Sequence, residues 1–113
     1  MIIDWAHTAP NKYITWSYRV IVPATNVANI RFYFANDSYV AGGDANDTGY
    51  FTNTGGQTIG VYDSVANVLS AFRYLSGSMW TAYEAGAYAT VAGRITGGTD
   101  FANTYVSSGD LGF

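Results

Sequence analysis

Residues 12–22 alternate. Ile14, Trp16, Tyr18, Val20 and Val22 fall on one face, and Tyr13, Thr15, Ser17, Arg19 and Ile21 on the other. Successive side chains of a strand point to opposite sides, so a period of two predicts a half-buried β-strand. Residues 27–34 repeat the pattern, with Ala28, Ile30, Phe32 and Phe34 facing in and Val27, Asn29, Arg31 and Tyr33 facing out. Pro23 to Asn26 separates the two runs as a turn, which predicts a hairpin. In that register Arg19 and Arg31 are neighbours on the outer face, with the carboxylates of the next loop as their anionic partners.

That loop, residues 36–49, gathers Asp37, Asp44 and Asp47, three of the chain's eight acidic side chains. Asn36, Asn46, Ser38 and Thr48 add neutral oxygens, and Gly42, Gly43 and Gly49 permit sharp turns. Oxygen-rich loops held by strands suit hard cations, and calcium accepts six to eight oxygens in flexible geometry. Asp37, Asp44, Asn46 and Asp47 are therefore the candidate metal ligands, with calcium the candidate cofactor. Residues 44–49 match the opening of an EF-hand loop only in part: the twelfth position is Gly55, so the closing bidentate Glu is absent and an EF-hand is rejected. The competing reading is a solvated turn in which Asp and Asn cap backbone N–H groups.

Further along, Asn53-Thr-Gly-Gly56 is a turn, and residues 57–62 read as a strand with Ile59 and Val61 on one side. Residues 67–75 fit either a helix or a two-sided strand, and the need of the preceding strand for a partner favours the strand. Residues 78–94 read as a helix, with Glu84 in its early turns, Arg94 near its end and Gly97-Gly98 stopping it. The tail to Phe113 reads as one or two short strands, its apolar end either part of a sheet interrupted where the sequence stops or docked on the core. The fold class expected is mainly β: an antiparallel β-sandwich, jelly-roll or Ig-like, spanning residues 1–113 as a single domain with one short helix near residues 80–94.

Composition narrows the function. With a net charge of −3 and five Lys and Arg residues, the chain lacks the clustered basic charge that nucleic-acid binding rests on. The absence of cysteine excludes disulfides, thiolate nucleophiles and zinc–thiolate sites. No apolar run reaches the length of a membrane span, and the N-terminus has neither the basic nor the apolar region of a signal peptide. Charged residues make up 12% of the chain and aromatics 17%, a balance that suits secreted or assembling β proteins.

The runs Asn29-Ile-Arg-Phe-Tyr-Phe34, Asn36-Asp-Ser-Tyr-Val-Ala-Gly-Gly-Asp44, Gly49-Tyr-Phe51 and Thr58-Ile-Gly-Val-Tyr62, followed by Tyr83-Glu84 and Asn103-Thr104, carry a resemblance. In order and character they resemble a β-rich domain that recurs in large exported bacterial surface proteins. The resemblance implies an exported β module, secreted or at the cell surface, and no catalytic residue.

No G-x-S-x-G, H-E-x-x-H or phosphate-binding glycine loop occurs, and His7 is the sole histidine. The expectation is a non-enzymatic extracellular binding or adhesion module that recognises a glycan or protein, assisted by calcium. Tyr13, Tyr33 and Tyr39, with Arg19 and Arg31, are its candidate ligand or interface residues, since tyrosine offers contact area with a polar handle. The alternative is a structural subunit that self-associates as a homo-oligomer in a surface layer or filament.

Overall fold

The computed structural model describes residues 1–106 and 109–113, and its backbone divides into two compact units, Met1–Ile30 and Arg31–Phe113. The protein is mainly β, with antiparallel pairing dominant and a single α-helix among the described residues.

In the N-terminal unit, strands β1 (Ile2–Ala6) and β2 (Thr15–Arg19) form a two-stranded antiparallel ribbon. The register sets Ile3 opposite Tyr18 and Trp5 opposite Trp16. The alternation in residues 12–22 is real, but the strand it makes is only as long as its partner, which supplies five residues. The hairpin expected with residues 27–34 does not form: β2 pairs with β1, and residues 27–34 hold no strand. Alternation prepares a segment for a ladder, and a ladder also needs an available edge. The face expected to be core is largely exposed, with Ile14, Trp16, Val20 and Val22 all in contact with solvent. Arg19 lies opposite Ile2 and does not sit across a hairpin from Arg31.

The C-terminal unit holds two three-stranded sheets. Strands β3 (Asp47–Thr52), β4 (Thr58–Asp63) and β5 (Val68–Arg73) form an antiparallel meander. The Asn53–Gly56 turn joins the first two as expected, and the ambiguous residues 67–75 supply β5. Gly60 lies at the centre of the meander, where a Cβ would lie 2.5 Å from that of Ala71 and also meet the Ser70 carbonyl oxygen. Only glycine fits that crossing.

The second sheet runs β7 (Thr104–Tyr105), β6 (Glu84–Ala87), β8 (Leu111–Gly112), with β6–β7 parallel and β6–β8 antiparallel. Helix α1 (Tyr88–Gly97) is the crossover between the parallel strands. The helix expected over residues 80–94 is thus displaced: Glu84–Ala87 is a strand, and the helix starts at Tyr88. Glu84 serves no helix N-terminus. Its carboxylate is buried in the sheet and paired with Arg94 from the last turn of α1. The stop is as read, with Gly98 in the left-handed region at φ 64°.

Gly49 N–H donates to Val106 O at 2.7 Å, which links β3 to the chain just beyond β7. The core gathers Ile59 and Val61 from β4, Ala85 from β6, Leu111 from β8, and Val40 and Phe113. Phe51 and Tyr83 stack against it, 3.7 Å between ring centres. Of the two readings of the apolar C-terminus, the docked one holds: Leu111 and Phe113 are buried, and Phe113 N–H donates to Asn36 O at 2.9 Å.

Candidate functional site

The acidic loop does not act as one cluster. Asp37 is exposed and forms an isolated bridge with Gly112. Ser38 next to it is buried, with both its N–H and its hydroxyl donating to Leu111 O. These bonds hold the start of the loop against β8. The segment expected as a short strand at residues 39–41 is instead a 3-10 turn, Val40–Gly42, with Ala41 at φ 54°. Tyr39 stands out from it, 70% exposed. Asp44 and Asn46 are exposed, and Asn46 takes φ 68° to turn the chain into β3.

Asp47 is different. It begins β3, its relative exposure is 0%, and neither carboxylate oxygen has a hydrogen-bond partner among the described residues. Directly opposite, at the end of β4, stands Asp63, also buried. Asp63 is tied down: its Oδ1 accepts the N–H groups of Val65 and Ala66, both at 2.8 Å, closing the turn into β5. Burial pushes the Asp47 carboxyl above the ordinary carboxylate range, and the charges of Asp63 and then Asp44 push it the same way. The three aspartates of the loop therefore separate. Asp44 and Asp47 share an electrostatic neighbourhood with Asp63, while Asp37 is placed at β8.

The basic residues of the C-terminal unit are engaged elsewhere. Arg31 Nε donates to Asp100 Oδ1 at 2.9 Å on the surface. Arg73 donates to Gly55 O at 3.1 Å, and Arg94 to Glu84. Arg31 thus meets a carboxylate, as the sequence requires of it, but Asp100 supplies it and the loop does not. Tyr33 is half-buried, its hydroxyl donating to Thr99 O at 2.9 Å and its ring packed edge-on against Phe101. Tyr13 is 64% exposed in the N-terminal unit, and Arg19 is exposed on β2. His7 Nε2 lies 2.8 Å from Asn11 O and is committed to that carbonyl.

A groove of about 320 Å³ lies between α1 and residues 35–37, lined by Tyr88, Val91 and Ile95 with Asp37 on its margin. Among the described residues no three His, Cys, Asp or Glu side chains converge as a metal-ligand set, and no helix is long and apolar enough to cross a membrane.

Asp63 and the Glu84–Arg94 pair escaped the sequence reading. Asp63-Ser-Val-Ala-Asn67 between two strand patterns is a turn signal, and it marks Asp63 as a cap. Nothing local reveals that the cap faces Asp47 across a ladder. Compared with known proteins, the chain matches no family model, no curated protein and no solved structure.

Proposed function

We propose that this protein is a non-catalytic binding module of an exported bacterial surface protein, which engages a glycan or protein surface through exposed aromatic side chains. The observation that carries the reading is Trp5, 70% exposed on the β1–β2 ribbon. A two-stranded ribbon alone is marginally stable in water, so a tryptophan left on it is a poor investment in folding and a good one in contact. Tyr13 in the same unit and Tyr39 in the C-terminal unit present further aromatic area to solvent. Flat aromatic faces stack on sugar rings and anchor protein interfaces. The secreted or surface location rests on the resemblance to exported surface domains and on the low charge content. Ile59 and Val61 of one sheet meet Ala85 and Leu111 of the other in one core, which supports reading the C-terminal unit as a two-layer β-sandwich.

The bare edges favour a second reading. Both strands of the ribbon are edge strands, and such edges template pairing with another chain. On this reading the protein is a self-associating subunit. One set of experiments separates the two: binding of the intact chain to panels of immobilised polysaccharides and surface proteins, and sedimentation velocity across a concentration series. The binding-module reading expects a monomer whose binding falls at least tenfold in Trp5→Ala or Tyr13→Ala with melting unchanged. Concentration-dependent growth that Trp5→Ala abolishes, with no binding to any panel member, would replace it with the subunit reading.

A further inference from the structure

Asp47 and Asp63 present a problem that the described residues leave unsolved. Two buried carboxylates face each other across a ladder, and one has neither a hydrogen bond nor a counter-charge among the described residues. An isolated buried carboxylate is among the most costly groups a fold can hold. The charges that reach Asp47 are those of Asp63 and Asp44, both negative. Arg31, Arg73 and Arg94 are the only Lys, Arg or His residues between 31 and 113, and each is engaged with another acceptor.

We propose that Asp47 and Asp63 hold a divalent hard cation, calcium in preference to magnesium, at the open end of the β3–β4 hairpin, opposite its Asn53–Gly56 turn. This inference does not rest on the binding-module reading. Both oxygens of Asp47 are buried without a hydrogen-bond partner among the described residues, and Asp63 keeps Oδ2 after Oδ1 has taken its two N–H donors. Because no third acidic or imidazole side chain converges there among the described residues, backbone carbonyls and water complete the shell. Calcium tolerates such a mixed and irregular shell, whereas magnesium demands near-ideal octahedral geometry. Asp44, exposed on the preceding loop, adds attraction for the approaching ion. The ligand pair thus differs from the loop set Asp37, Asp44, Asn46 and Asp47: its second carboxylate comes from the far end of β4.

The test is calorimetric titration of the intact chain with calcium chloride and with magnesium chloride, joined to thermal melts in EDTA and in each salt. The expected result is one calcium site per chain. At 100 times its dissociation constant the melting temperature should rise by on the order of 10 °C, and by less in magnesium. Asp47→Asn and Asp63→Asn should each remove most of that rise, whereas Asp37→Asn should keep it. Asp63→Asn retains an oxygen for the two N–H donors, so loss of the calcium response is separable from loss of the turn. No heat of binding together with identical melts in EDTA and calcium overturns the proposal, whatever the variants do. Loss of the response in Asp37→Asn with retention in Asp63→Asn overturns it in favour of the loop ligand set.

Discussion

Asp47 and Asp63 are direct cross-strand partners in the β3–β4 ladder, both buried and both acidic. Like charges directly opposite each other in a sheet destabilise it. Here burial adds to the repulsion, and the pair gives the molecule a dependence on protons that is open to measurement.

In the presence of a chelator, Asp47→Asn should melt higher than the parent at neutral pH. The sign follows from the raised Asp47 carboxyl. A group whose folded-state value lies above its unfolded value of about 3.9 contributes its stability in full below that unfolded value, and loses it as pH rises through the folded one. The two chains should therefore melt alike near pH 4. They should draw apart toward pH 7, with the asparagine variant ahead by on the order of 1 kcal/mol. Paired melts from pH 4 to 7 check this, and a constant gap across the range would show that Asp47 does not titrate between the two states.

Arg94→Ala should destabilise the C-terminal unit by about 3 kcal/mol, because it leaves Glu84 buried without its cation. Glu84 also accepts the Ala102 N–H at 3.2 Å, so the carboxylate ties β6, the end of α1 and the returning chain together. Adding Glu84→Gln to Arg94→Ala should recover part of the loss, since the buried charge then disappears while an acceptor remains. Urea denaturation of the two single variants and the double variant measures the coupling. Additive losses would mean that the pair contributes nothing as a pair.

Gly60→Ala and Gly93→Ala should move stability in opposite directions. A methyl at Gly60 collides with Ser70 and Ala71 in the middle of the meander, and overpacking of that kind costs about 1–3 kcal/mol or more. At Gly93, inside α1, a methyl meets nothing within 4 Å, and the helix gains about 1 kcal/mol from alanine's better propensity. Thermal melts of the two variants should bracket the parent.

Leu111→Ala should cost about 2–5 kcal/mol as a core truncation, and more than Trp16→Ala. Leu111 is fully buried among β4, β6 and Phe113, whereas Trp16 sits on a thin ribbon and is 46% exposed. Chemical denaturation of each variant ranks them. A larger loss at Trp16 would mean that β1–β2 is covered in solution, and would point to self-association.

Much of the fold was legible in the sequence because its signals are local. The β-rich character, the Asn53–Gly56 turn, the strands that became β4 and β5, the Gly97–Gly98 stop and the apolar C-terminus all follow from period, turn chemistry and backbone freedom. Each depends on a residue and its near neighbours. The acidic loop was legible as a concentration of oxygens for the same reason. Tertiary structure decided which segment paired with which. It gave β2 the short β1 as its partner in place of residues 27–34, so a strand signal of full length made a ladder of five residues. It drew Glu84 out of a helix into β6, where it meets Arg94, because the strands that pair with β6 lie at residues 104–105 and 111–112, outside any local window. It also split the loop aspartates, sending Asp37 to β8 and setting Asp47 against Asp63, a residue sixteen positions further along. Periodicity reports which face a side chain takes; what stands opposite that face is set by strand register, and register is a property of two segments at once.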